Sequence, residues 1–146
     1  MILDSSAIIA IILREPGFED IANHIADADS LAIGAPTLAE TAIALENRVS
    51  DARSILIQFL HEWQVHIIPF GESHWQEALS AYIRFGKGRQ KAGLNFGDCM
   101  AYAVARLSRQ PLLCTGSDFS RTDIELAWSR RPRITASLED ASSKGQ

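Results

Sequence analysis

Four short apolar runs, "MIL", "LAIGAP", "VHIIP" and "PLLCT", recur along this chain; the first three precede stretches with helical spacing and the fourth the turn "GSDF". Short strands alternating with helices point to an α/β sandwich around a parallel sheet. After the first run, Ala7 to Leu13 is apolar on all sides, so periodicity alone does not separate helix from strand there. The Ser5-Ser6 start, able to cap, and the Glu15-Pro16-Gly17 stop favour a helix. Further helices are expected through Phe18, Ile21, Ala22 and Ile25, from Thr37 through Leu45, and through Ile55, Leu56, Phe59 and Trp63. Trp75, Ala78, Leu79, Tyr82 and Ile83 hold the clearest helical spacing, and their stripe, like Trp63, is expected to face the core rather than stack on bases. "DCMAYAVARL" is apolar almost all round and is expected to lie centrally.

The chain is sized for one domain, expected over residues 1–134, with a flexible tail over 135–146, "TASLEDASSKGQ". A net charge of -4 excludes a strongly basic nucleic-acid binder but allows a local basic patch. Arg84, Lys87, Arg89 and Lys91 crowd the loop "RFGKGRQKAGLN", which would either track phosphates or simply remain solvated. The start lacks the basic residues and cleavage site of an export signal, and no apolar stretch approaches the roughly 18 residues that span a bilayer. A cytoplasmic protein, with no membrane partner, is the expectation. Cys99 and Cys114 lack CxxC spacing and read as buried free thiols. The four histidines show no paired ligand spacing, which leaves histidine acid–base catalysis without support.

The acids fall where a parallel sheet gathers its ligands, beyond the carboxyl ends of strands and near helix starts. Asp4 follows the first strand, Glu40 sits in the first turn after the second, Asp98 opens the central helix, and Asp118 and Asp123 follow the last strand. Each has an ordinary explanation as well. Asp4 and Asp98 suit N-caps, Thr37 with Glu40 suits a capping box, Asp118 suits an Asx turn, and Asp123 suits a helix N-terminus. Together they arrive without basic residues at matched spacing. Two carboxylates about 4 Å apart repel by about 4 kcal/mol at an effective dielectric of 20. A cluster of them calls for protons or a hard divalent cation with oxygen ligands, Mg2+ or Mn2+. P-loop, Rossmann and GxSxG signatures are absent, and Ser6 stands where an aspartyl phosphotransferase needs a second acid.

At these residues the chain resembles PIN-domain ribonucleases, specifically VapC-type toxins of toxin–antitoxin pairs. The matching stretches are "MILDSSAIIAIILREPG", "APTLAET", "LNFGDCMAYAVA" and "PLLCTGSDFSRTDI". The resemblance implies a three-layer α/β/α sandwich with a short parallel sheet, and a Mg2+-dependent endoribonuclease that cuts a tRNA or an rRNA loop. It carries the catalytic acids onto Asp4, Glu40, Asp98 and Asp118, with Ser6 ordering the first and Asn95 preceding the third. The family's "TN" dipeptide followed directly by an acid is replaced here by Thr115, Gly116 and Ser117 before Asp118, so Asp123 stands as competitor or helper for the fourth place. Asp4 and Asp98 would be direct or water-bridged ligands, with Glu40 and Asp118 orienting a water or holding a second ion. The resemblance also implies an antitoxin bound at the rim, with apolar positions from Ile9 to Phe18 as candidate contacts, and pairing of two chains. The alternative is a catalytically silent PIN-like module that binds RNA or protein.

Overall fold

The computed structural model describes residues 1–89 and 91–128, so the expected domain end and the tail over 135–146 lie outside the described residues. The four apolar runs become β1 (Ile2–Leu3), β2 (Ala32–Gly34), β3 (His66–Ile68) and β4 (Leu112–Leu113). Helices α1 (Ser5–Ile12) and α2 (Phe18–Ala26) follow β1; α3 (Ala35–Glu46) and α4 (Ala52–Glu62) follow β2; α5 (Glu72–Phe85) and α6 (Phe96–Ser108) follow β3. The strands pair in parallel in the order β3-β2-β1-β4, with Ile2 opposite both Ala32 and Leu112.

Strand alternation divides the core in two. Ile2, Ala32 and Leu112 pack against α5 and α6, whereas Leu3, Ile33 and Leu113 pack against α1 to α4. Helices therefore cover both faces of the sheet, giving three α/β/α layers. Each fully buried Leu or Ile on these strands contributes roughly 1.5–3 kcal/mol. Small residues let α6 sit deep: Ala101, Ala103 and Ala105 are buried along with Tyr102 and Val104. A Cβ added at Gly34, where β2 meets α3, would stand 2.8 Å from Cγ2 of Val104, so glycine permits this close approach of sheet and helix.

Two departures from the sequence reading bear on function. Helix α3 starts two residues early, with Gly34 as N-cap and Pro36 in its first turn, where a missing N–H costs little. Thr37 thus lies inside the helix, buried, with its Oγ1 making no hydrogen bond among the described residues. The expected Thr37–Glu40 capping box does not form, and the Glu40 carboxylate turns towards α6 instead.

Helix α5 corrects the second expectation. Ala78 and Ala81 face the core, while Trp75 is 53% exposed and Ile83 54% exposed, with Leu79 and Tyr82 beside them. The apolar stripe points outward because the alanines allow α5 to lie tightly on α6. Cys99 and Cys114 are buried free thiols, as expected, with their pKa pushed up to about 11 and about 12, in each case chiefly by burial. No helix among the described residues is long and apolar enough to cross a membrane.

Candidate metal centre

Asp4 is the floor of the site. It ends β1 and caps α1, with its Oδ2 accepting the Ser6 amide at 3.1 Å. The Ser6 hydroxyl also donates to Oδ2, while Ser6 Oγ itself accepts the Thr115 amide at 3.0 Å. Because Ser6 Oγ accepts a hydrogen bond from the Thr115 amide, its own proton is directed at Asp4. One hydroxyl thereby joins the end of β1 to the end of β4. Asp4, not Ser5 or Ser6, caps the helix.

Asp98 reaches the same region from α6. Asn95 is the N-cap, its Oδ1 accepting the Asp98 amide at 2.9 Å, and Asp98 Oδ2 accepts the Asn95 amide at 2.9 Å. This reciprocal box locks the side chain and leaves Oδ1 without a hydrogen bond among the described residues. Glu40 approaches from the first turns of α3, with a hydrogen bond from Ser5, and its carboxyl lies over Gly97. Asp118 enters from the turn Asp118–Arg121 beyond β4. Asp4 is buried, Asp98 half-buried, and Glu40 and Asp118 exposed, so the acids descend from an open rim to a closed floor.

Their charges feel one another. Burial pushes the Asp4 pKa up, against the Ser6 and Ser5 hydrogen bonds, and the Asp118 charge adds to the rise. Glu40 is raised by burial and then by the charges of Asp4 and Asp98. Asp98 is raised to about 6, mainly by burial, with Asp4 and Asp118 contributing and the Asn95 amide opposing. The same three aspartates, after burial, raise Cys114 beneath them.

No ion pair reaches Asp4, Glu40, Asp98 or Asp118 among the described residues. Nor do any three His, Cys, Asp or Glu side chains among them close to a finished metal cage. The acids stand in electrostatic range but apart, as carboxylates lacking a shared counter-charge do. An all-oxygen, net-negative donor set on rigid elements fits a hard divalent cation.

Asp123 does not join them. Its Oδ1 accepts the Tyr102 hydroxyl and its Oδ2 the Arg84 guanidinium, both at 2.7 Å, with Arg106 at 3.6 Å. Burial would raise this carboxyl, but the Tyr102 and Arg84 hydrogen bonds and the two arginine charges hold it below its usual value. The expected helix N-terminus at Asp123 is also absent, since the segment after the turn is non-helical.

Arg84, one of the loop residues that would either track phosphates or remain solvated, is instead paired with Asp123. Arg89 lies over the Tyr82 ring at 5.3 Å, and Arg121 donates to the Lys91 carbonyl at 3.0 Å. The basic loop is thus tied both to α5 and to the turn carrying Asp118, while Lys87, Arg89 and Lys91 remain exposed. Tyr102, Gly97 and Arg121 carry no role in the sequence reading, and Ser5 enters it only as a candidate helix cap. Only Gly97 left a signal there, as a glycine inside a helical pattern.

Comparison with known proteins decides the family. A PIN domain model matches residues 1–125. The chain belongs to the PIN-domain family, in its VapC-type branch. Ribonuclease VapC36 of Mycobacterium tuberculosis is 42% identical over 127 residues, covering 86% of this chain and 91% of that protein. Ribonuclease VapC of Mycolicibacterium smegmatis is 38% identical, covering 85% and 97%. Among solved structures, Mycobacterium tuberculosis VapC20, described as a sarcin-ricin loop cleaving toxin, superposes with a TM-score of 0.70 at 16% identity, covering 84% and 95%. A toxin-antitoxin complex from Klebsiella pneumoniae gives 0.63 at 14% identity, covering 84% and 92%. At these identities the structural likeness speaks for the PIN fold alone, and the sequence relatives carry the VapC assignment.

Proposed function

We propose that this VapC-type chain is the endoribonuclease toxin of a toxin–antitoxin pair, acting in the cytoplasm and hydrolysing phosphodiester bonds of a tRNA or rRNA at Asp4, Glu40, Asp98 and Asp118. The observation that carries the reading is the mutual electrostatic range of these acids, which come from four separate segments with no basic side chain among the described residues to neutralise them. The relatives named ribonuclease VapC support the reaction class.

Asp4 and Asp98 would hold Mg2+, or Mn2+ in its place, with Glu40 and Asp118 nearer the rim. The ion, when bound, supplies charge to offset the scissile phosphate and acidifies a coordinated water. Asp4 is kept in place by Ser6, and Asp98 by Asn95, so neither needs to reorganise during the reaction. With Asp98 raised to about 6, it is ionised and ready to bind at neutral pH. Lys87, Arg89 and Lys91 would steer the RNA backbone towards α6.

Two protein partners follow from the same reading. An antitoxin segment would cover the α1–α2 corner, where Ile9, Ile12 and Phe18 are only partly buried. A cavity of about 430 Å³ there is lined by Ala10, Ile21, Thr115 and Trp128, and reaches the end of β4 beside the acids. A second copy of the chain would cover α5. An antiparallel pairing centred on Leu79 sets Trp75 of each copy opposite Ile83 of the other, and brings Glu72 towards Lys87 and Arg89.

The test is incubation of total cellular RNA with purified protein in Mg2+ and in chelator, followed by mapping of new ends. Discrete cuts that require Mg2+ and vanish in Asp98→Asn support the proposal. Cleavage surviving both would refute it, and metal binding without any cleavage would favour the silent module.

A further inference from the structure

We infer that Gly97 is a positioning residue for Glu40, its missing side chain setting how far the Glu40 carboxylate enters the acid group. The inference rests on the proposal that Glu40 helps hold the cation. Gly97 lies in the first turn of α6, between the N-cap Asn95 and Asp98. Its backbone has no positive φ, so conformation alone does not call for glycine. Space does. A Cβ built on Gly97 would stand 2.7 Å from Oε2 of Glu40, 2.8 Å from Oε1 and 2.9 Å from Cδ.

All three atoms of the carboxyl meet the added carbon almost equally, so the group lies flat over the glycine. Turning one oxygen aside gives no relief, and the whole carboxylate must withdraw. It can do so, because Glu40 is an exposed residue with a flexible side chain. The fold should therefore tolerate a methyl group at this position while the acid moves. The location explains what the close approach achieves. First-turn amides of a helix lack intrahelical partners and carry its positive end. Resting on Gly97 brings Glu40 to that end of α6 and within range of the Asp98 charge.

Helix propensity works against glycine here, since alanine is better by about 0.8–1.0 kcal/mol in a helix interior. Gly97→Ala should thus keep or raise thermal stability in chelator while weakening metal binding. Those opposite signs separate positioning from a general structural role.

The experiment is Mn2+ titration calorimetry, with melting in chelator, on the full chain and its Gly97→Ala, Glu40→Ala and double variants. Gly97→Ala should weaken Mn2+ about 10- to 100-fold. Added to Glu40→Ala, which removes the obstructed carboxylate, it should change affinity by no more than about twofold. Wild-type affinity in Gly97→Ala alongside weakened Glu40→Ala would overturn the inference alone, as would an equal further loss on the Glu40→Ala background. Wild-type affinity in Glu40→Ala would overturn the metal-site reading on which it rests. Should Gly97→Ala fail to fold, recovery in the double variant supports the steric conflict, and failure there too overturns it.

Discussion

The hydroxyl of Tyr102 donates to Oδ1 of Asp123 at 2.7 Å, from a ring fully buried on α6. The phenol is pushed up to about 12, first by burial and then by Asp123, and so stays a donor throughout the working range. Asp123 therefore fastens the segment after the Asp118 turn to α5 and α6. Asp123→Asn is expected to cost about 1–2 kcal/mol in urea unfolding while leaving Mn2+ affinity within about twofold of wild type. A large loss of Mn2+ binding without loss of stability would return Asp123 to the metal site.

This pairing also marks how far the letters can be read. Arg84 and Asp123 lie 39 positions apart, so no local spacing announced that the acid had partners. The strands and the central helix were legible because short apolar runs and the near-continuous apolar face of α6 have few alternative placements. That Asp4, Glu40, Asp98 and Asp118 lie within range of one another's charges was legible because parallel strands end on one side of the sheet. The α5 face was not, since periodicity finds an apolar stripe without saying whether Ala78 and Ala81 or Trp75 and Leu79 face inward. The start of α3 was missed because Pro36 can open a helix as readily as precede one.

Ser6 connects the ends of β1 and β4 through a single oxygen. Ser6→Ala removes the donor to Asp4 and leaves the Thr115 amide without its acceptor. A stability loss of about 1–3 kcal/mol is expected in chelator, together with roughly 10- to 100-fold weaker Mn2+ binding. Calorimetry and urea melts on one preparation check both, and unchanged Mn2+ affinity would show that Ser6 serves the fold alone.

The raised carboxyls fix the sign of a pH dependence. Asp4, Glu40 and Asp98 are all raised on folding, so above their ordinary values the native chain binds more protons than the unfolded one, Asp98 doing so up to about 6. In chelator, their contribution makes stability fall as pH rises above their ordinary values, with the Asp98 share lost by about pH 6. Asp123 acts lower down: its depressed pKa gives stability that is lost as pH falls below its ordinary 3.8. Melting temperatures from pH 4 to 8 should decline towards neutrality in chelator and be restored by Mg2+ at pH 7. A decline towards neutrality in Asp98→Asn as large as in wild type would show that Asp98 does not contribute to it.

The outward face of α5 gives a test of assembly. Leu79→Glu places a charge at the centre of the exposed stripe without touching Ala78 or Ala81 beneath it. Light scattering should find a dimer for wild type and a monomer for the variant, with similar melting temperatures. A wild-type monomer at tens of micromolar, or a variant that remains dimeric, would exclude α5 as the pairing surface.

The most direct measurement is anomalous diffraction from crystals grown with Mn2+. A peak within ligand reach of Asp4 and Asp98, bordered by Glu40 and Asp118 and lost in Asp98→Asn, is the predicted result. Saturating Mn2+ with no peak in that space, or a peak held by other residues, would contradict the assignment of these carboxylates to a metal centre.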